Sequence, residues 1–441
     1  MDLTRFIVVF ITSIYCFQIF AEEIATPSMP EGMDHSHMHH ALTDSASDPS
    51  SQKKMGMPGA LGNYAMNRES SGTSWQPDST EHDGIHTMLG DWHTMLHGSI
   101  DLIQNKQSGS RGDSEFYSAS NLMIRSQQTF DTGTIGLHGM FSLDPIMGKG
   151  GYPLLFQTGE TADGVHPLID RQHPHNAFME LAASYSMSLP SDRSVFIYAG
   201  PVGEPALGPT VYMHRASGMD LPEAPITHHW LDSTHITNGV ITLGYIFGDF
   251  KLETSGFHGR EPDQYRYRIE LGGLDSFSGR LTLNPNENWS MQISQGHLIS
   301  PESLDPTKNL TRTTASLTFN HHFGLGSTQT TLAWGRNSPD RAPPTNAYLL
   351  ESAYKLNGQS VFARLENVDK DELFISSNPL YGRVFKITKM AVGYSAEIGH
   401  TNNISANLGV EFSSFTKPKA LDAMYGSNPF GCIVLMRFNL K

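Results

Sequence analysis

The sequence predicts an all-β protein: a closed antiparallel transmembrane β-barrel of about 14–16 strands, with lumen-folded loops and a disordered N-terminal segment. Three observations predict it. An apolar run behind a basic residue opens the chain, the pattern of an exported protein. From about residue 91 onward, segments near the length of a tilted membrane strand, about 9–11 residues, alternate apolar and polar side chains between turn residues. The chain has two cysteines, Cys16 and Cys432, and the first lies in the export run, so the mature domain is held by its core or its closure and not by disulfides.

Residues 1–21 read as a signal peptide. Arg5 precedes "FIVVFITSIYCFQIF" (Phe6 to Phe20), and Ala21 precedes "EE". Ile19 matches a small-x-small cleavage site poorly. The alternative is a membrane anchor, against which stand the shortness of the run and the long polar stretch behind it. Cys16 lacks the small residues that a lipoprotein signal places before its cysteine. No other apolar run is long enough for a spanning helix. The net charge of −14 leaves no basic stripe for phosphates, which excludes nucleic acid as a partner.

Residues 22–90 are rich in Ser, Pro, Gly, Met and His and poor in large apolar residues, which predicts disorder. "MDHSHMHH" supplies His35, His37, Met38, His39 and His40. Thioethers and imidazoles together favour soft and borderline transition metals, copper ions above all. "MGMPG" (Met55 to Gly59) and "HDGIHTM" (His82 to Met88) continue the theme.

Residues 91–441 carry the barrel. "WHTMLHGSIDLI" opens it, with Leu96, Ile100 and Leu102 on one parity and His93, Met95, His97 and Asp101 on the other. "GVITLGYIFGDFKLETSGFHG" reads as a hairpin turning at Gly248-Asp249, and "LTLNPNENWSMQ" as another turning at Asn284 to Asn288. "WSMQISQG", "TRTTASLTFNHH", "NAYLLESAYK" and the closing "GCIVLMRFNLK" alternate in the same way. The period alone suits a soluble sandwich as well. Segment length, export, and aromatics near segment ends (Tyr198, Trp289, Trp334, Tyr354) favour membrane strands and outer-membrane lipid as the surroundings. The last residue is Lys441, with Phe438 three positions earlier, whereas many outer-membrane barrels end on an aromatic.

If the apolar parity of the first strand faces lipid, His93, Met95 and His97 form an inward row, a candidate soft-metal set. The alternative is a polar lumen wall that includes histidines. A helical arrangement would also gather His82, His86, His93 and His97, against Gly84 and Gly90. Residues 144–238 hold long connections rich in Pro and Gly, which argue against long helices or strands there and for folding into the lumen. They carry His166, His173 and His175, then Glu204, Met213, His214 and the stretch "HHWLDSTH". In that stretch, His228, Asp232 and His235 share a face if it is helical, with Asp232 placed to orient an imidazole; His229 and His235 share one if it is extended. The structural alternative is a loop anchored by Trp230 and Leu231 whose imidazoles bond backbone carbonyls. Phe156, Phe178, Trp230 and Leu231 are the expected anchors that bring His228, His229, Asp232 and His235 near His173 and His175.

The blocks "YPLLFQTGET", "DRQHPHNAFMELA", "GEPALGP", "MHRASGMD", "HHWLDSTHIT" and "GREPD", between Trp92 and about residue 320, resemble a family of Gram-negative exported, outer-membrane β-barrel proteins to which no activity is assigned. The resemblance implies export, a barrel and a frequent association with copper-handling genes. Asn176 stands where that family favours an aspartate, which takes position 176 out of an implied ligand set. The Met/His-rich stretch is similar in composition to those of outer-membrane copper-resistance proteins.

The chain has no HExxH, GxSxG, P-loop or dinucleotide fingerprint, so no enzyme class is indicated and no resident cofactor beyond copper ions. "RGDS" (Arg111 to Ser114) reads as a polar turn. Three functions compete: a barrel that binds or passes copper-like ions for metal tolerance, with periplasmic copper-handling proteins as partners; a general or solute-selective porin; and a barrel-embedded hydrolase.

Overall fold

The computed structural model describes residues 58–81 and 84–441. The expected signal peptide and His35, His37, Met38, His39 and His40 lie outside the described residues.

The wall is one antiparallel sheet. β1 (Ile85–Leu89) pairs with the first half of β2 (Trp92–Gln107) and only extends it. Sixteen strands then close the ring: β2, β3 (Ser114–Phe130), β4 (Gly133–Phe141), β7 (Phe178–Leu189), β8 (Arg193–Val202), β9 (Val240–Phe247), β10 (Phe250–Phe257), β11 (Ser276–Asn286), β12 (Trp289–Leu298), β13 (Leu310–Phe323), β14 (Gly326–Pro339), β15 (Thr345–Leu356), β16 (Gln359–Lys370), β17 (Phe385–His400), β18 (Ile404–Thr416) and β19 (Phe430–Leu440). Closure is made by the last strand on the first: Gly431–Asn439 of β19 pairs with Ser99–Gln107 of β2. Closure leaves no strand edge, which is what a membrane-spanning sheet requires.

Period-two alternation fixes the faces. In the row Leu332, Leu350, Leu365 every side chain faces out and is exposed. In the adjacent row Thr331, Glu351, Arg364 every side chain faces in and is buried. A register slip of one residue would put the carboxylate and guanidinium against lipid, so the register is strongly specified. The hairpins alternate in length. Tight turns such as Gly248-Asp249 and Asn357-Gly358 sit at one end with the last residue. Long connections, among them 142–177, 203–239 and 258–275, sit at the other. Asn357 and Gly358 both have positive φ (51° and 73°), the hairpin geometry that Asn-Gly favours. Near the turn end an aromatic belt forms: Phe247 stacks on Phe250 at 5.2 Å, Trp289 meets Phe319 at 4.6 Å and Phe323 meets Tyr354 at 5.3 Å.

The lumen is filled. The 142–177 connection contains an inner hairpin, β5 (Tyr152–Thr161) with β6 (Pro167–Gln172), separate from the wall. Its aromatic Phe156 is fully buried and stacks on Tyr425 at 4.1 Å. The long connections within 144–238 are two, 142–177 and 203–239, separated by the β7–β8 hairpin of the wall. The prolines and glycines did not prevent strands there, because β5 bends at Phe156 and Glu160, both at positive φ. Tyr198 is also not a belt residue. It points inward and its hydroxyl donates to Glu180 at 2.6 Å.

Residues 58–81, expected to be disordered, form a second plug from the turn end. Ala60, Leu61, Ser70 to Ser74 and Trp75 are buried. The wall supplies what the segment's composition lacks. Arg125 donates to the carbonyls of Ser70 and Gly72, Lys251 to that of Thr73, and Asn284 to that of Gln76 at 2.8 Å. Polar backbone is therefore satisfied inside the barrel without an apolar core of its own. The two plugs meet: Ser70 Oγ donates to the His214 carbonyl at 3.3 Å, and Thr210 Oγ1 to Ser74 Oγ at 3.2 Å.

Candidate functional site

"HHWLDSTH" is a single helical turn, His228–Leu231, followed by a 3-10 turn, Ser233–His235. The turn realises the i, i+4 pair: His228 Nδ1 lies 2.7 Å from Asp232 Oδ1. Asp232 Oδ2 accepts from Tyr212 N at 2.9 Å and from Arg215 at 3.0 Å. Arg215 also donates to Glu351 of β15, which Arg364 of β16 holds at 3.1 Å. Trp230 locks the turn to the wall by donating Nε1 to Thr345 Oγ1 at 2.9 Å, and Leu231 is fully buried.

Around this turn the loops assemble an imidazole cluster. The ring centroids of His228 and His235 are 5.2 Å apart, those of His235 and His175 5.4 Å, those of His228 and His229 5.6 Å, and those of His229 and His173 6.1 Å. The expected juxtaposition of His228, His229, Asp232 and His235 with His173 and His175 is what the structure places. His166 is not part of it; its ring is exposed and pairs with Asp163 at 2.7 Å. Asn176 accepts from Arg266 at 3.2 Å.

The Nδ1 atoms are turned outward onto oxygen. His175 meets Asp144 at 2.8 Å, and His235 meets the Asp232 carbonyl at 2.9 Å. In a neutral ring that makes Nδ1 the protonated nitrogen and Nε2 the acceptor, and His175 Nε2 lies 3.4 Å from the Tyr212 hydroxyl. The buried Nε2 atoms of His229 and His235 find no hydrogen-bond partner among the described residues. Burial holds the imidazoles of His173, His229 and His235 well below the usual value; burial also lowers His228, against the opposing carboxylate of Asp232. Burial pushes the Asp232 carboxyl up, but His228 and Arg215 outweigh it and keep it ionised. These groups are therefore neutral imidazoles beside a fixed carboxylate at neutral pH. Among the described residues, no group of three or more His, Cys, Asp or Glu side chains already stands at metal-holding geometry.

The β2 residues divide. Their strand places His93, Met95 and His97 on the inward parity, and the helical arrangement of His86, His93 and His97 does not occur. They do not form one compact set, because successive inward residues of a strand stand about 6.8 Å apart. His93 stacks on His86 at 5.4 Å, while His97 faces His214 at 5.9 Å. Met95 is buried in a cluster with Met123, Met140, Met179 and, from the 203–239 connection, Met213. Three of them, Met123, Met140 and Met179, were missed in the sequence. The inward parity of β3 and β4, once phased on the apolar outward residues Leu122 and Leu137, would have found Met123 and Met140.

A crevice runs along this wall. At the turn end a vestibule of ≈ 480 Å³ is lined by Glu81, Ser327 and Lys355 among others. The same three residues line a cavity of ≈ 70 Å³ with Met95, His97 and Met123. His97, Met219 and Lys355 are then shared with a cavity of ≈ 100 Å³ that ends at His175 and Tyr212.

No known family profile matches the chain, and no curated protein matches it. Among solved structures it is similar to an anion-selective porin from Comamonas acidovorans (13% identity over 79% of this chain and 99% of that one, TM-score 0.46). It is also similar to Salmonella typhi OmpF in complex with daunomycin (9% identity, 80% and 100% covered, TM-score 0.49). Pseudomonas putida OprB is a third (8% identity, 79% and 94% covered, TM-score 0.47). Nothing about cargo or assembly passes from those proteins to this chain at that level of likeness.

Proposed function

We propose that the chain is an outer-membrane barrel of the porin type, held shut in this conformation by two segments of its own, and selective for small species that follow the side crevice. The observation that carries it is the combination of an apolar outer face with a charged, closed ring whose lumen is plugged from both ends. A ring with a lipid-facing exterior and a polar interior serves passage or binding across a membrane, and a filled lumen excludes a general wide pore. Planar-bilayer recording tests it. The full chain should conduct poorly, and a chain lacking residues 58–81 should conduct several-fold more while still migrating as a heat-modifiable barrel. Equal conductance from two correctly assembled proteins would refute the plugged-channel reading.

A second reading, in which the barrel binds or passes copper-like ions and hands them to periplasmic copper-handling proteins, is favoured by one feature. The imidazoles of His175, His228 and His235 each direct Nδ1 to an oxygen, the arrangement by which proteins present Nε2 to a metal. The observed centroid separations of 5.2 and 5.4 Å resemble those of imidazoles sharing an ion with metal–nitrogen bonds of about 2.0–2.1 Å. Zinc or Cu(II) titration of the purified chain, against a His228→Gln/His235→Gln variant, reads this directly.

A further inference from the structure

The methionines of the β2–β3–β4 wall stand out because, among the buried apolar clusters described, theirs is the one built mainly of thioethers. His97 of β2 is the cross-strand partner of Met123 of β3, and Met123 is the partner of Met140 of β4. Residues directly opposite on neighbouring strands hold their Cβ atoms about 4.5–5.5 Å apart. One imidazole and two thioethers therefore form a continuous inward row. Met95 lies one inward step along β2 from His97, and Met213 descends on the row from the 203–239 connection. Met95, Met123 and Met140 are 4–6% exposed.

An apolar patch of this kind has an ordinary use: thioethers fill irregular gaps. Two facts point further. A cavity of ≈ 70 Å³, lined by Met95, His97 and Met123, adjoins the row and shares Glu81, Ser327 and Lys355 with the turn-end vestibule. That is room for a small ion, since about 10–15 Å³ already admits a water. The charges around the cavity also balance. Glu69 and Glu81 face Arg125 and Lys355 there, with Arg125 3.8 Å from Glu69. A hard divalent cation gains no net carboxylate charge from such a lining, although Ser70, Thr80, Ser327 and Gln329 offer it neutral oxygens there. A soft monovalent cation needs neither, because neutral sulfur and neutral imidazole nitrogen are its preferred ligands.

We propose that Met95, His97, Met123 and Met140 form a binding site for a soft monovalent metal cation of the Cu(I)/Ag(I) class, reached from the turn end. The proposal rests on the metal-handling reading of the lumen but not on the imidazole cluster around His228, and the two are separable by experiment. The vestibule shares Glu81, Ser327 and Lys355 with the cavity beside the thioethers, and Asp220, Lys355, Arg437 and Asn439 with the cavity that reaches His175, so a cation entering from the turn end has the thioether site open to it without first passing the imidazole cluster.

The test uses the full chain in detergent and Ag(I) as nitrate in chloride-free buffer, since Ag(I) needs no reductant. One variant carries Met95→Leu, Met123→Leu and Met140→Leu together, swaps that conserve volume and apolarity and so leave the packing role in place. The other carries His228→Gln and His235→Gln. The triple-Leu variant should lose one tightly bound Ag(I) equivalent, or bind it at least about tenfold more weakly, and silver-edge X-ray absorption should show fewer sulfur neighbours. The His variant should keep that equivalent. Binding by the Met/His-rich residues before 58 is common to all three proteins and cancels. If the triple-Leu variant binds as much Ag(I), as tightly, as the parent chain, the wall is packing only and the proposal fails. If the His variant alone loses metal, the proposal fails while the imidazole reading stands.

Discussion

Replacing Gly335 by Ala tests how the "HHWL" turn is held. Gly335 lies on β14 with its Cα facing the turn, and a Cβ there would stand 2.2 Å from the carbonyl oxygen of Trp230 and 2.8 Å from its carbonyl carbon. Backbone atoms, not a flexible side chain, meet it. An ordinary carbon–oxygen contact is about 3.3 Å or more, so the turn must retreat by about 1.1 Å. Two hydrogen bonds span the same contact: Trp230 Nε1 to Thr345 Oγ1 at 2.9 Å, and Asn337 Nδ2 to the His229 carbonyl at 3.0 Å. A retreat of that size stretches both toward 4 Å, where they no longer count as bonds. Two lost bonds at about 0.5–1.5 kcal/mol each and an overpacking cost of about 1–3 kcal/mol give ~2–6 kcal/mol against docking of the turn. At the lower bound, hydrogen exchange of amides 228–235 should accelerate about 30-fold. The wall hydrogen bonds are untouched, so heat-modifiable migration should persist. Gly399→Ala, where an added Cβ meets nothing within 4 Å, is the control. If exchange over 228–235 in Gly335→Ala matched the control within about threefold, the close approach would not be what seats the turn.

Three further outcomes follow from the same geometry. Asp232→Asn leaves Arg215 and His228 without the carboxylate they share, and removing one partner from a buried charge network costs about 3–5 kcal/mol; limited proteolysis should then cut within 203–239 while the barrel stays intact. Docking of the inward loops should weaken as pH falls below about 6.5, because His173, His228, His229 and His235 have depressed values when docked and take protons only when released, at up to ~1.4 kcal/mol per pH unit for each. Glu160, Asp170, Glu204 and Glu261, pushed up by burial, the last three to about 6, about 7 and about 8, oppose that trend. Proteolysis rates at pH 7.5 and 5.5 check the sign, and a rate that fell on acidification would contradict it. Leu350→Arg, on the exposed outer row, should cost about 2–4 kcal/mol in urea-titrated folding into vesicles if the row lies at mid-bilayer; no cost would mean that the row does not face lipid.

Much of this was legible in the sequence because period-two alternation is a local signal. It phased the first strand, so that Met95 and His97 point inward, and it marked the turns at Gly248-Asp249 and within 284–288. The anchors Phe156, Trp230 and Leu231 were legible too, since large apolar residues in a polar connection need something to pack on. What escaped were properties of the assembled ring. The order of residues 58–81 was hidden because composition reports whether a segment can bury itself, not whether a surrounding wall will satisfy its carbonyls, as Arg125, Lys251 and Asn284 do. The methionine row was hidden because Met123 and Met140 are 17 positions apart and become neighbours only through the β3–β4 register. Tyr198 was misplaced because a tyrosine at a strand end suits a lipid interface as well as a buried hydroxyl with a carboxylate partner.

The two plugs are not equivalent, and the difference gives the lumen a direction. The 142–177 connection is seated on apolar surface: Tyr152, Leu154, Leu155 and Phe156 pack with Tyr117, Phe374, Phe385, Phe415 and Tyr425 in the largest cluster of buried apolar residues described. Releasing it exposes several large side chains, at roughly 1.5–3 kcal/mol each. The 58–81 segment has a smaller apolar anchor, Leu61 and Trp75 with Phe196 and Ile246. Its remaining ties are largely hydrogen bonds from wall side chains to its carbonyls. Such bonds exchange for bonds to water, so each resists release by about 0.5–1.5 kcal/mol, or about 1.5–3 kcal/mol where Arg125 or Lys251 is the donor. Neither plug adds a strand to the wall sheet, so either can leave without breaking a strand pair of the ring. The segment that enters from the turn end is therefore the one expected to yield first, and it lies against the vestibule from which the crevice toward His97 and His175 begins.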